Sequence, residues 1–235
     1  MHGMGVMTAI TIQDTARVHR VLPAFPSVVL DQLRTLLRDV VPDAVKLGML
    51  ATDDVVLNVE LALRELPAAP RRVPLVIDPV LAASDGTPLL ERRAWPRLQE
   101  LLGRAELVTP NLFEAQALTG EDCSSEEGTQ AAATVLLASF GARAALVKGG
   151  HRDGPPRDLL ALREGGSVLL EWLEGERLPV GPVHGTGCAL AAAVAAGLAR
   201  GVELRPAVAA ARAFVLEALR RAEARGKSAR FLVYP

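Results

Sequence analysis

The residues of this sequence that can do chemistry stand beside glycines, where short apolar runs end. In HGTGCALAAAVAAGLARG, residues 184–201, Gly185, Thr186, Gly187 and Cys188 occupy a turn that opens into a helix. Glycines let a backbone turn and approach a ligand, the N–H groups of a helix's first turn point outward unpaired, and the macrodipole favours negative charge there. A phosphate suits such a turn. The same helix start stabilises a thiolate, so Cys188 is expected to have a lowered pKa and to activate or fix a hydroxyl. The plainer reading makes Gly185 and Gly187 the shape of a turn before a packing helix and Cys188 a small buried filler.

Other polar groups follow the same rule of position: Gln13 and Asp14 after TAITI, Lys46 in KLGML, Asp78 in VIDPV, Asn111 and Glu114 in TPNLFE, Lys148 in VKGG. One strand-end residue means little; several on one rim make a site. Asn111 and Glu114, three apart on a helix opening after Pro110, share a face and can bind magnesium through water, or form an N-cap with a carboxylate placed on the helix dipole. Asp78 before Pro79 either orients a metal or ends a strand. Lys148, beside Gly149 and Gly150, can reach a phosphate as a mobile point charge, or lie exposed at a strand end. Lys46 reads as a brace for the sheet rim. Of the histidines, His151 and His184 flank glycine turns and can approach a ligand, although solvated loop histidines are commoner; His2 and His19 read as incidental.

These groups need a scaffold that brings strand ends together. Short β-branched runs (GVMTAITIQ, AVKLGML, PLVIDPV, ELVTPN, AALVKGG) alternate with longer amphipathic ones (SVVLDQLRTLLRDV, DDVVLNVELALREL, RAWPRLQELLG, GTQAAATVLLASFG). The alternation predicts an α/β fold: an open, mostly parallel sheet with helices on both faces and right-handed crossovers. Ligands of such sheets lie beyond the carboxyl ends of the strands. After Gly150, DLLALREGGSVLLEWLEGERLPVG predicts a hairpin turning at Gly165-Gly166. Two helices then close the chain, one from the GTGC turn and one over RPAVAAARAFVLEALRRAEAR, with Pro206 in its first turn.

At 235 residues with 50% hydrophobic content, residues 1–235 are expected to fold as one domain with an extensive core. Acidic and basic residues are mixed and nearly balanced at a net charge of -1, so nothing marks a nucleic-acid or anionic-lipid surface. No run is long enough to span a membrane and the start lacks the features of a signal peptide, which predicts a cytoplasmic protein with no membrane partner. Cys123 and Cys188 lack neighbours at metal-ligand spacing and are expected to be free thiols. Only three of the 26 basic residues are lysines (Lys46, Lys148 and Lys227), so each merits attention. Neither GxxxxGK[ST] nor a strand-following GxGxxG occurs.

Six segments in order, HGMGVMTAITIQDT, VKLGML, DPVLAASDGTPLL, VTPNLFEAQALTG, LVKGGHRDG…DLL and HGTGCALAAAVAAGLARG, resemble the hydroxymethylpyrimidine/phosphomethylpyrimidine kinases of thiamine biosynthesis, a branch of the ribokinase-like superfamily. The resemblance runs from residue 2 to about 201. It implies an αβα sandwich, ATP with Mg2+, a homodimer, and phosphate transfer to 4-amino-5-hydroxymethyl-2-methylpyrimidine and then to its monophosphate. Gln13 matches the residue that reads the aminopyrimidine, its amide offering donor and acceptor, and Val80 matches an apolar wall. Asn111 and Glu114 match the magnesium-associated NxxE motif, with Asp78 beside them as a metal residue. Lys148 falls in the nucleotide-side VKGG segment, and Gly185, Thr186, Gly187 and Cys188 match the anion-hole turn. Thr186, Asn111 and Lys148 are thereby expected on the nucleotide. Many sugar kinases of the superfamily have an aspartate base where this chain has Cys188.

The family resembled begins with a strand, a loop similar to AGSDSSGGAGIQAD and a helix before the HGMGV segment. The sequence here starts at Met1-His2-Gly3, so the resemblance implies a kinase domain without its first βα unit. Three expectations stand side by side: a start assigned downstream of the true one, a truncated kinase completed by another chain, or a non-catalytic pyrimidine or nucleotide binder. Pyridoxal kinase is the alternative activity. Segments around Ser84-Asp85-Gly86 and over residues 151–157 are candidate covers.

Overall fold

The structure is a computed structural model that describes residues 2–66, 72–150, 154–226 and 228–235. His151, the start of the candidate cover at 151–153, and Lys227 lie outside the described residues. The elements in chain order are β1 (Ala9–Gln13), β2 (Val18–Pro23), α1 (Pro26–Asp39), β3 (Val45–Leu47), α2 (Asp53–Arg64), β4 (Leu75–Ile77), α3 (Trp95–Leu102), β5 (Leu107–Val108), α4 (Leu112–Thr119), α5 (Glu126–Ala138), β6 (Ala144–Val147), β7 (Arg157–Glu164), β8 (Ser167–Glu174), β9 (Val183–His184), α6 (Thr186–Ala199), α7 (Leu204–Arg220), β10 (Glu223–Ala224) and β11 (Arg230–Phe231).

A six-stranded sheet in the order β3-β4-β5-β6-β7-β8 forms the frame. β3 to β6 are parallel, and β7 and β8 continue the sheet antiparallel. The side-chain period of two divides each strand between two cores. Leu75, Ile77, Val108, Ala145 and Val147 pack with α2, α3 and α5. Val76, Leu107, Ala144 and Leu146 pack with α6 and α7. Consecutive parallel strands advance in one direction, so same-handed crossovers all fall on one face. The other face is left for α6 and α7, which give the sandwich its second helical layer.

Local signals match the elements they start. Thr52 caps α2, its side chain accepting from the Val55 N–H, with Asp53 and Asp54 in the first turn. The β7–β8 hairpin turns at Gly165 and Gly166 with φ of 56° and 86°, the two positive values a type I′ turn needs. Pro206 sits in the first turn of α7, where its missing N–H costs little.

The first apolar run departs from expectation. β1 does not join the parallel sheet but pairs antiparallel with β2 in a separate two-stranded ribbon. The cause is the Asp14 side chain, which accepts from the Ala16 and Arg17 N–H groups and closes a tight Asx turn. A turn this short allows only antiparallel return. A small sheet of order β10-β11-β9, unforeseen because each strand has two residues, pins the C-terminal tail to the segment entering α6.

Candidate active site

The period of two also assembles the site. Lys46 pairs in register with Val76, which faces α6. Asp78, Thr109 and Lys148 each stand two residues beyond an α6-facing strand residue: Val76, Leu107 and Leu146. The ladder continues past the strand ends, because the Asp78 N–H donates to Leu47, Thr109 to Ile77 and Lys148 to Pro110. All four side chains therefore leave the sheet on the face that carries α6, at the carboxyl ends of the strands.

There α6 begins. Gly185 is its N-cap at φ 85°, a left-handed conformation that strains any residue with a Cβ, and no side chain caps the helix. The first-turn N–H groups have no intrahelical partner and face outward. A Cβ on Gly187 would stand 3.0 Å from the Lys148 Nζ and 3.7 Å from the Asp78 Oδ2, so glycine here lets the helix start approach the charged pair.

Asp78 is 2% exposed. Its Oδ1 accepts from the Lys148 Nζ at 2.9 Å and from the Thr109 Oγ1 at 3.2 Å. Burial opposes the charge on Lys148, but the Asp78 and Glu114 carboxylates more than offset it and hold the ammonium above its usual pKa. Burial pushes Glu114 up to about 7 against the pull of Lys148 and of the Asn111 and Leu81 N–H groups, with Asp78 adding to the rise. The Asn111 N–H donates to Glu114 Oε2 at 2.7 Å and the Glu114 N–H donates to Asn111 Oδ1 at 2.8 Å. This reciprocal capping box starts α4 and fixes both side chains.

Cys188 is exposed. Its thiol does not follow the expected direction. Crowding by the surrounding protein and the Asp78 carboxylate push its pKa up, and the Lys46 and Lys148 charges only partly reverse this. Desolvation by the surrounding protein, with the Asp78 carboxylate adding to it, outweighs the helix start, so the group present at neutral pH is the thiol.

Gln13 ends β1 exposed, and the turn that follows it is tied to the entry of α6: the Thr15 carbonyl is 3.1 Å from the His184 Nε2. His184 also stands against the Phe231 ring at 6.1 Å, which gives it a structural post. The Val18 N–H donates to Asp85 Oδ2 at 2.7 Å, joining the ribbon to the Ser84-Asp85-Gly86 segment. Val80 is half-buried just past Asp78. His19 pairs with Asp14 on the ribbon surface.

Sequence reasoning missed three supports. Thr109 orients Asp78, and the polar residue between Val108 and Pro110 was its signal. Asp158 accepts from the Gly149 N–H at 2.9 Å and from the Arg212 Nε at 2.9 Å, which fixes the loop after Lys148 from β7 and α7. These two lie 54 residues apart in the chain, so no local pattern marks them. Clefts of about 350 and 240 Å³ open at the opposite strand ends, near Arg104 and near Glu106, and hold none of these groups. Position on the strand ends, not cavity size, identifies the site.

For magnesium the donor set fits in one specific way. Among the described residues no three His, Cys, Asp or Glu side chains converge as a metal cage. Two carboxylates, Asp78 and Glu114, act on the same ammonium. Mg2+ commonly takes one or two carboxylates and completes its shell with water and phosphate oxygens.

A family model described as phosphomethylpyrimidine kinase matches residues 1–232. A hydroxymethylpyrimidine/phosphomethylpyrimidine kinase of Staphylococcus aureus (strain MRSA252) is 35% identical over 218 residues, covering 92% of this chain and 76% of the relative. A thiamine biosynthesis bifunctional protein of Geobacter sulfurreducens is 38% identical over 231 residues, covering 96% of this chain and 45% of that protein. Among solved structures, an ADP complex of Bacillus subtilis pyridoxal kinase superposes with a TM-score of 0.82 at 28% identity, covering 97% of this chain and 84% of the other.

Proposed function

The chain belongs to the phosphomethylpyrimidine kinase family, and from that premise we propose that it transfers the terminal phosphoryl group of ATP to 4-amino-5-hydroxymethyl-2-methylpyrimidine and then to the resulting monophosphate. It is a phosphotransferase of thiamine biosynthesis. The observation that carries the catalytic reading is the approach of the Lys148–Asp78 pair to the uncapped first turn of α6 at Gly187.

The hydroxymethyl oxygen attacks the γ-phosphorus in line, a P–O bond forms, the bond to the β–γ bridging oxygen breaks as ADP leaves with that electron pair, and the hydroxyl proton passes to water. Lys148 and the N–H groups at Gly185, Thr186, Gly187 and Cys188 neutralise charge on the transferred group. Cys188, held as a thiol, positions the attacking alcohol; a loose transition state asks little of a base. Gln13 reads the aminopyrimidine edge and Val80 forms the apolar wall. Asn111 and Thr186 contact the nucleotide. Asp78 and Glu114 would hold Mg2+ through water, and the ion would supply charge neutralisation at the phosphates. ADP in the Bacillus subtilis kinase supports ATP as donor.

A homodimer is the proposed assembly, supported by Ile10, Ile12 and Leu22, which share one face of the β1–β2 ribbon and are 54%, 45% and 38% exposed. A cytoplasmic location is proposed for the chain, and no helix among the described residues is long and apolar enough to cross a membrane. Pyridoxal is the second candidate substrate, favoured by the close superposition on a pyridoxal kinase.

The test is ATP-dependent transfer by the chain to the pyrimidine alcohol, its monophosphate and pyridoxal. Transfer to the first two, with pyridoxal slower, is expected. Cys188→Ala should lower kcat about tenfold or more while the nucleotide Kd stays within about twofold. Unchanged turnover would remove Cys188 from the mechanism, and transfer to pyridoxal alone would install the second reading.

A further inference from the structure

Lys46 is a cation on the α6 face of the sheet that the phosphoryl transfer described above leaves unused. It lies at the middle of β3, in register with Val76, so its side chain emerges on the α6 face beside Asp78. Its ammonium curls back over the strand end, 2.5 Å from where a Cβ on Gly48 would stand, and the absent side chain makes that position possible. Lys46 is half-buried and, among the described residues, makes no hydrogen bond or ion pair. Lys148 differs, since its charge is already matched by Asp78 at 2.9 Å. The Lys46 charge nevertheless reaches the reacting corner, where it acts on the Cys188 thiol more strongly than Lys148 does.

The two transfers of the proposed reaction differ in what they ask of this corner. In the first, a neutral alcohol must be positioned and must lose a proton. In the second, a non-bridging oxygen of the substrate's own phosphate attacks the γ-phosphorus, a P–O bond forms, and the bond to the β–γ bridging oxygen breaks as ADP leaves with that electron pair. That oxygen has no proton to lose, but a phosphomonoester brings roughly two negative charges near neutral pH. Two anions must then meet, and the paired Lys148 has no charge to spare for the second. A single unpaired ammonium in a partly desolvated corner is suited to this task.

Resting on the kinase reading, we propose that Lys46 is the residue that binds the phosphate of the phosphomonoester substrate and so decides whether the second transfer takes place. It is a specificity-determining residue for the second acceptor. Gly48 belongs to the same device, because a side chain there would displace the ammonium.

The wild-type chain, Lys46→Met and Lys46→Arg are compared in steady-state transfer from ATP to the pyrimidine alcohol and to its monophosphate, and in calorimetric binding of the monophosphate. Lys46→Met should lower the ratio of kcat/KM for monophosphate over alcohol at least tenfold, mainly through KM, and Lys46→Arg should restore part of that ratio. An unaltered ratio, or equal losses on both acceptors, overturns the inference and leaves the kinase reading standing. Wild type that transfers to neither acceptor, yet binds the monophosphate at least tenfold more tightly than Lys46→Met, overturns the kinase reading and supports the assignment to Lys46. Neither transfer nor Lys46-dependent binding overturns both.

Discussion

The Asp78 carboxylate depends for its solvation on the Lys148 ammonium at 2.9 Å and the Thr109 hydroxyl at 3.2 Å. Removing one partner of a buried pair leaves an uncompensated charge, which costs about 3–5 kcal/mol. Lys148→Met should therefore lower the unfolding free energy by about 3 kcal/mol in urea titrations, the lower end because Thr109 remains. The double variant Lys148→Met/Asp78→Asn should recover most of that loss while transfer stays abolished, which separates stability from chemistry. Glu114 makes a pH prediction. Its folded-state pKa is raised to about 7 from 4.5, chiefly by burial. Between those values the folded state binds more protons than the unfolded one, so stability from this group is full below about 4.5 and is lost as pH rises through about 7. Glu114→Gln should flatten that decline when unfolding free energy is followed from pH 4.5 to 8.

Elements position these groups through close approach. α6 and α7 cross where a Cβ on Gly197 would meet the Ala207 Cβ at 3.0 Å. Gly197→Ala should push the two helices apart and cost about 1–3 kcal/mol, read as a lowered Tm. Because the GTGC turn is the start of α6, kcat should fall as well. The entry to α6 is held from three sides: by the Thr15 carbonyl on His184, by β11 pairing with β9, and by Phe231 against the His184 ring. The tail reaches further back, where Tyr234 stacks on Phe214 of α7 with centroids 5.6 Å apart. The anion-binding turn is thus part of a brace that includes the N-terminal ribbon and the C-terminal tail.

At the scale of the molecule, both faces of the sheet are covered by helices while the β1–β2 ribbon stands outside it with an apolar face. Phe25 at the start of α1 is also 80% exposed. Contiguous apolar surface of this kind marks an interaction site. Light scattering is expected to give twice the 24.9 kDa chain mass. Ile10→Lys combined with Ile12→Lys should reduce it to the single-chain value without loss of helical signal, because neither side chain belongs to the core. A single-chain mass for the wild type would remove the dimer from the proposal.

Periodicity and punctuation were local facts, and the sequence determined them by itself. The alternation of β-branched and amphipathic runs announced the parallel sheet, Gly165-Gly166 announced the hairpin, and the strand-end residues Asp78, Lys148, Asn111 and Glu114 announced a rim. The spacing of Asn111 and Glu114 also foretold a cap, which the structure forms. Tertiary structure decided what depends on groups far apart in the chain. It tied the β1–β2 ribbon to Asp85 and His184, 67 and 169 residues away, and it kept Cys188 a thiol by desolvating it and setting Asp78, 110 residues earlier in the numbering, beside a helix start that alone favours a thiolate. It also paired Lys148 while leaving Lys46 without a partner among the described residues, although the two lysines look alike in sequence. Charge and solvation are set by whatever lies within a few ångströms, and only the folded chain determines which residues those are.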